Sequence, residues 1–464
     1  MWQFDRFADK IALLPEDGGE ISYAELRREG ERLATAVGGR RLVFALCSNT
    51  GGSLLGYTAF LNHRITPLLL KAETEDETLA ALLEIYKPDF LWLPAARAAA
   101  FAQAPLYSAW GYSLLKTPHS RVFPLHGELA LLLTTSGSTG SPKFVRQSYE
   151  NIRANTESIT QYLELSVSER PITTLPMSYT YGLSVVNSHL WAGASIILTD
   201  KALTQKEFWQ QFKQHGATSL SGVPYTYEML DRLRFCRMEP PSLRTLTQAG
   251  GKLPLRLQEK FAAYAERTGR RFIVMYGQTE ATARMSYLPP EKALAKSGSV
   301  GVAIPGGEFS LLDAAGGEIT AAGVVGELVY KGANVTMGYA ESGADLAKGD
   351  ERGGVLLTGD MARRDGDGYY YIVGRKKRFL KIFGNRVNLD EAEQLVRAEF
   401  DCDCACAGVD DKMTVYVTDA AIAPAARKFI AAKTQLPPSA FDVRPVAAIP
   451  KNEAGKTQYS ALED

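Results

Sequence analysis

The sequence holds little that would mark a membrane, secreted or nucleic-acid-binding protein. In 464 residues there is no run of about 18 apolar side chains, the length a bilayer-spanning helix needs. The first six residues, Met1-Trp2-Gln3-Phe4-Asp5-Arg6, mix charges and lead into no apolar core, so no secretory signal is expected. Cysteine is scarce. The five, at positions 47, 236, 402, 404 and 406, are an odd number with no even framework, which fits a reducing compartment. No excess of either charge is present: lysine plus arginine and aspartate plus glutamate both total 52. A balanced chain lacks the basic footprint of a nucleic-acid binder or a polybasic membrane anchor. A soluble, cytoplasmic protein with no nucleic-acid partner and no membrane span is expected.

What is present reads as globular. Hydrophobic residues make up 45% and charged residues 22%, and the length exceeds one compact core, so two or more units are expected. Strand-like and helix-like segments alternate, predicting an α/β fold with largely parallel sheets. Ser22-Tyr23-Ala24-Glu25 has the pattern of a capping box, and residues 74–77 repeat it ahead of Leu79, Leu82, Leu83 and Tyr86. Phe90-Leu91-Trp92-Leu93 reads as a buried strand, and the alanine-rich stretch after it as a short helix or surface segment. The texture changes after the basic run Gly374-Arg375-Lys376-Lys377-Arg378. Asn388 and the residues to Glu391 cap a helix, residues 404–409 and 413–417 pair as strands, and Pro424 opens another helix. Cys402, Cys404 and Cys406 alternate and read as small core residues of a strand. A boundary at Lys377 therefore separates residues 1–376 from a small α+β unit, 377–464.

Four stretches carry chemistry. The apolar strand Leu131-Leu132-Leu133 delivers Thr134-Thr135-Ser136-Gly137-Ser138-Thr139-Gly140-Ser141-Pro142-Lys143. Glycines let backbone amides turn toward an anion, hydroxyls donate further hydrogen bonds, and the lysine adds a point charge, so the loop suits a polyphosphate. It lacks the Gly-Lys-Ser/Thr ending of a Walker loop. Tyr276-Gly277-Gln278-Thr279-Glu280 follows the strand Phe272-Ile273-Val274-Met275, and ligands of open α/β sheets gather at the carboxyl ends of strands. Thr358-Gly359-Asp360, with Arg375 fifteen positions on, could take ribose hydroxyls. Pro450-Lys451-Asn452-Glu453-Ala454-Gly455-Lys456 puts a lysine on a glycine-flanked tail. Taken singly, the last three are no more than a strand-end turn, a solvated acid and a tail lysine.

All four in this order resemble the adenylate-forming superfamily: acyl- and aryl-CoA synthetases, nonribosomal peptide adenylation domains and luciferases. The resemblance runs from Ile21-Ser22-Tyr23-Ala24-Glu25-Leu26 to Lys456 and includes Gly326-Glu327-Leu328 and Gly338-Tyr339. It implies a large N-terminal domain of parallel-rich sheets with flanking helices and a distorted β-barrel, and a small mobile α+β lid hinged at Lys377. It also implies ATP-dependent conversion of a carboxylic acid to an acyl-adenylate, release of pyrophosphate, and transfer to a thiol. Thr135, Ser136, Gly137, Ser138, Thr139, Gly140 and Lys143 then hold phosphates. Ala249, Gly250, Gly251 and Tyr276 border adenine, Thr279 contacts the α-phosphate, and Glu280 binds Mg2+. Asp360 and Arg375 contact ribose. Lys456 bridges carboxylate and α-phosphate during adenylation, while Lys381 and Gly384 belong to the face that serves thioester formation, and Arg386 matches a position that contacts phosphate in some relatives.

The acceptor implied is CoA; the alternative is the phosphopantetheine arm of a carrier protein, and a catalytically silent adaptor is a third reading that intact Lys143, Thr279, Glu280, Asp360 and Lys456 oppose. The pattern is also broken in places. Phe144 follows Lys143 where the family usually has glycine, and Tyr179 stands where many relatives carry histidine. Residues 176–182 contain no carboxylate to pair with a substrate ammonium, so an uncharged acyl or aryl acid is expected over an α-amino acid. Tyr179, Tyr181 and Tyr225 are the expected pocket lining, favouring a short or aromatic acid.

Overall fold

In the computed structural model the chain divides into two compact units. Residues 1–134, 143–383, 385–451 and 457–462 are described, with the side chains of Arg386 and Ser460 outside that set. The first unit comprises Met1–Ser297, Ala303–Glu308 and Lys331–Leu356; the second comprises Gly298–Val302, Phe309–Tyr330 and the chain from Leu357 onward.

Two sheets build the first unit. One has four parallel central strands, Leu129–Thr134, Thr66–Lys71, Leu42–Cys47 and Phe90–Pro94, in that order. Antiparallel strands close its edges: Phe144–Ser148 and Gly338–Ala340 on one side, Tyr112–Lys116 and Tyr107–Ala109 on the other. Leu-Val-Phe-Ala-Leu-Cys has no polar position because both faces of that strand are covered. Val43 and Ala45 enter one core, and Leu42, Phe44 and Leu46 enter another. The second sheet sets Arg271–Tyr276, Thr245–Gln248, Ser219–Gly222, Pro171–Ile172, Ile196–Ile197 and Ile11–Leu14 side by side in parallel. Helices Tyr23–Val37, Gly51–Asn62, Tyr149–Tyr162 and Thr180–Trp191 share one continuous apolar core with both sheets. The predicted α/β architecture is the observed one.

Local signals succeed where a side chain has no better partner. Ser22 Oγ accepts from Glu25 N at 3.1 Å and Glu25 Oε2 accepts from Ser22 N at 2.9 Å, the reciprocal capping box read from sequence. The second box does not form. Thr74 Oγ1 instead donates to Lys71 O at 2.7 Å, and the helix Asp76–Tyr86 starts after Glu75 with no side-chain cap. A threonine hydroxyl satisfied by a nearby carbonyl leaves the cap role vacant.

The second unit carries a four-stranded sheet in the order Gly307–Leu312, Val325–Gly332, Val355–Arg364, Tyr370–Arg375. This is where a distorted barrel is expected; among the described residues it is a ladder, with no closed barrel traced. Further on come the hairpin Phe379–Ile382 and Asn385–Asn388, the helix Leu389–Phe400, and a three-stranded sheet of Cys404–Val409, Lys412–Val417 and Phe441–Pro445. Pro424 lies in the first turn of the helix Ala423–Thr434. Cys404 and Cys406 are buried in this module's core beside Val396, Val415 and Ile430.

Candidate active site

Three parallel strands of the second sheet run in register to their carboxyl ends, Gly222 opposite Gln248 and Gln248 opposite Val274, with the third continuing to Tyr276. Two of the sequence motifs leave from that edge. Ala249-Gly250-Gly251 follows the strand Thr245–Gln248, and Gly277-Gln278-Thr279-Glu280 follows Arg271–Tyr276. Both need their glycines. A Cβ on Gly277 would lie 1.7 Å from the Ala283 carbonyl oxygen, so the backbone closes on itself there. Gly250 has φ +84°, and a Cβ would meet the Tyr179 hydroxyl at 2.7 Å. Tyr179 is therefore pressed against the glycine motif, and burial pushes its hydroxyl pKa up to about 12. Tyr276 accepts a hydrogen bond on its hydroxyl from Gln278 Nε2 at 3.3 Å.

Thr279 and Glu280 sit on a short 3-10 turn, Thr279–Ala281, with Thr279 buried. The Glu280 carbonyl accepts from Thr336 N and Oγ1, both at 3.0 Å, and from Arg352 Nη1 at 3.1 Å. Its carboxylate accepts from the Tyr339 hydroxyl at 2.7 Å. The Tyr339 ring is flanked by two cations, Lys143 Nζ at 3.8 Å and the Arg352 guanidinium at 4.7 Å from its centroid. Burial, with the Glu280 charge beside it, raises the Tyr339 hydroxyl to about 12. Lys143 also pairs with Glu341 at 3.3 Å.

Arg146 fixes this arrangement from below. It lies on the strand Phe144–Ser148, opposite Gly338, and its guanidinium is fully buried. It donates to the carbonyls of Tyr339 (2.9 Å), Met337 (3.1 Å) and Gly349 (3.1 Å), and to those of Lys348 and the Glu351 carboxylate. One side chain thus ties residues 337–351 to the strand that follows the Thr135–Lys143 loop motif.

Tyr181 is buried on the helix Thr180–Trp191, donating to or accepting from Thr247 Oγ1 at 2.9 Å. Tyr225 is half exposed and stands apart from the cluster holding Tyr179, Tyr181, Val223 and Ala249.

In the second unit Asp360 is buried and faces Arg375 across an antiparallel pair, Oδ1 to Nε at 3.5 Å. Thr358 braces the turn, its hydroxyl accepting from Asp360 N at 3.1 Å and donating to Leu328 O at 2.7 Å. Among the described residues Lys377 has no bonded partner, whereas both its neighbours do. Lys376 pairs with Glu327 at 2.6 Å, and Arg378 pairs with Asp390 at 2.8 Å and Glu393 at 2.5 Å. Lys381 is exposed, its N–H donating to Asp410 Oδ1 at 2.7 Å. Thr135, Ser136, Gly137, Ser138, Thr139, Gly140, Gly384, Lys456 and the Arg386 side chain lie outside the described residues.

Tyr339 and Arg352 are not among the site residues that the sequence motifs point to. The Gly338-Tyr339 pair was visible, but its bond to Glu280 spans 59 positions and has no local signature. No helix among the described residues is long and apolar enough to cross a membrane.

Glycine-shaped turns at parallel strand ends, with a carboxylate braced by a tyrosine hydroxyl, belong here to an α/β fold of the adenylate-forming kind. The chain belongs to the AMP-binding enzyme family, whose model matches residues 1–340. It is 31% identical over 353 residues to the sulfoacetate–CoA ligase of Cupriavidus necator, covering 72% of this chain and 66% of that protein. It is 32% identical over 305 residues to the oxalate–CoA ligase of Arabidopsis thaliana, covering 64% and 57% respectively. These alignments thus span just under two thirds of each of those relatives or less. The 2-succinylbenzoate–CoA ligase of Bacillus pumilus aligns at 26% over 418 residues, 88% of this chain and 80% of that one. The fold matches the o-succinylbenzoate coenzyme A synthetase of Bacillus subtilis in complex with AMP, with TM-score 0.78, 21% identity, and coverage of 100% of this chain and 97% of that one. It also matches ATP-bound MatB from Rhodopseudomonas palustris, with TM-score 0.78, 22% identity, and 99% and 97% coverage.

Proposed function

We propose that this protein ligates a carboxylic acid to CoA through an acyl-adenylate. The observation that carries the proposal is the Glu280–Tyr339–Lys143 cluster, in which one tyrosine orients a carboxylate through its hydroxyl and holds a cation over its ring. In the first step a carboxylate oxygen of the acid bonds to the α-phosphorus of ATP, the bond to the β-phosphate oxygen breaks, and pyrophosphate leaves with the electron pair. In the second, the CoA sulfur bonds to the acyl carbon, the carbon–oxygen bond to AMP breaks, and the thiol proton is lost. Neither step needs a covalent nucleophile from the protein; both need anions brought together and their charge spread.

Residues of this chain divide that work. Lys143 and the hydroxyls and amides of residues 135–140 hold the β- and γ-phosphates, and Thr279 contacts the α-phosphate. Glu280 is suited to Mg2+ because its carboxylate keeps an oxygen free of Tyr339, and the ion when bound spreads phosphate charge. Asp360 and Arg375 hold the ribose, and Ala249, Gly250, Gly251 and Tyr276 border the base. Tyr179 and Tyr181 line the acid's end of the site. Lys456 bridges acid and α-phosphate in the first step. Rotation about Lys377, which residues 377–464 would undergo as a lid, then brings Lys381, Gly384 and Arg386 into use. Residues 176–182 offer no carboxylate, which favours an acid without an α-ammonium group.

Half-reactions test this. Lys456→Ala should reduce acid-dependent ATP–pyrophosphate exchange at least ~100-fold, in line with losing one charge-stabilising donor. Thioester formation from supplied acyl-adenylate should fall far less. Equal loss in both would refute the two-step assignment.

A further inference from the structure

Beneath Tyr179 and Tyr181 the interior is polar where a sheet–helix interface is ordinarily apolar. On the strands Ser219–Gly222 and Thr245–Gln248 the residues facing the helices are Ser219, Ser221, Thr245 and Thr247. These four, with Leu163, Leu165, Glu169, His189 and Arg284, line a closed chamber with room for about one water. The hydroxyls bond one another: Tyr181 to Thr247 at 2.9 Å, and Thr247 to Ser221 at 2.9 Å.

Arg284 is the unusual member. It is 2% exposed, and its guanidinium reaches only neutral groups: Ser184 Oγ from Nε at 3.1 Å, and Tyr162 Oη and Met275 Sδ from Nη1, each at 3.1 Å. It lies over the Tyr181 ring at 5.0 Å. Among the described residues no carboxylate comes within 4 Å of it, and Nη2 makes no hydrogen bond. The chamber's one carboxylate, Glu169, is already engaged by Arg244 at 3.2 Å and by the Thr218 hydroxyl at 2.6 Å. His189 cannot help: its Nδ1 faces the Val185 carbonyl at 2.8 Å, and Nε2 is buried without a partner. An arginine cannot escape burial by losing its proton, so a buried one calls for an anion.

Resting on the ligase reading above, we infer that the acid this enzyme activates carries a second anionic group, a carboxylate or sulfonate, which docks on Arg284. The reacting carboxylate then lies toward Tyr179 and Gly250, and the second anion meets the guanidinium beside Ser221 and Thr247, where the side chains around the one-water space must move apart to admit it. This departs from the uncharged acid that the sequence motif alone suggests, because Arg284 lies about a hundred positions from the segment carrying that expectation. The names of two relatives, sulfoacetate–CoA ligase and oxalate–CoA ligase, give acids of this class as the substrates of those proteins.

The test is pyrophosphate exchange by the wild-type full chain on matched pairs: malonate against propionate, succinate against butyrate, glutarate against valerate, with sulfoacetate and oxalate added. The best dianionic acid should exceed its monoanionic partner at least 100-fold in kcat/KM, and Arg284→Gln should shrink that ratio at least tenfold, with Arg284→Lys recovering part of it. A monoanionic acid that outperforms its dianionic partner overturns the inference and leaves the ligase reading standing. So does a ratio unchanged in a folded Arg284→Gln variant. Exchange with no acid at all overturns the ligase reading and the inference with it.

Discussion

Tyr339 touches three charged groups at once, and among the described residues its hydroxyl is the only side-chain donor to the Glu280 carboxylate. Tyr339→Phe keeps the ring between Lys143 and Arg352 but removes that bond. Hydrogen bonds to charged groups contribute about 1.5–3 kcal/mol, so exchange activity should fall roughly 10- to 100-fold, with the Mg2+ requirement shifted upward and thermal stability little changed. Gly277 is constrained differently, by space. Gly277→Ala sets a methyl against the Ala283 carbonyl and must move the Thr279–Ala281 turn; about 1–3 kcal/mol of stability should be lost in urea titration, together with most of the exchange. His189 gives a pH signature. Burial lowers its pKa to about 4, well under its value in an unfolded chain. Between about pH 6.5 and 4 the unfolded chain binds the extra proton and the folded one does not, so stability falls as pH falls through that window. His189→Asn should flatten this part of the stability–pH curve, measured by denaturant midpoints at stepped pH.

At the scale of elements, Arg146 binds the strand Phe144–Ser148 to residues 337–351, and its partners lie about 190 to 205 positions away. Arg146→Ala would strand buried carbonyls and Glu351 together, costing about 3–5 kcal/mol in equilibrium unfolding, whereas Glu351→Gln, which takes the carboxylate from the buried guanidinium but leaves its carbonyl partners, should cost about 1–3 kcal/mol. A small effect of the first variant would mean the segment carrying Tyr339 is held some other way. The contrast marks what sequence can express. Strand cores such as residues 42–47, the Ser22 box, the Asn388 cap and the helix after Pro424 announce themselves within a few residues, because their partners are a few residues off. Thr74 carries the same short-range signal and fails, since Lys71 offers its hydroxyl a competing acceptor. The site's motifs were readable for the same local reason: glycines and hydroxyls cluster where backbone must approach phosphate. Tyr339, Arg146 and Arg284 were not, because their meaning lies in contacts the fold creates between distant segments and in a charge left without a counter-ion.

On the scale of the whole molecule, the account requires residues 377–464 to serve the two half-reactions in turn. Among the described residues Lys377 sits unbonded between Lys376, tied to Glu327, and Arg378, tied to Asp390 and Glu393. A tether on each side concentrates rotation on the residue between them. Lys377→Pro, which fixes φ, should therefore slow thioester formation at least tenfold while leaving pyrophosphate exchange within a few-fold of wild type. Gly384→Trp should show the same split by obstructing the thiol's approach, and loss of both activities in either variant would argue against a moving lid. The central claim is acid activation by adenylation, and the most direct measurement is ATP–pyrophosphate exchange in the absence of CoA, across the panel of mono- and dianionic acids. The account predicts exchange that depends on the acid and on Mg2+ and needs no thiol; exchange absent until CoA is added, or ADP and phosphate formed in place of AMP and pyrophosphate, would contradict it.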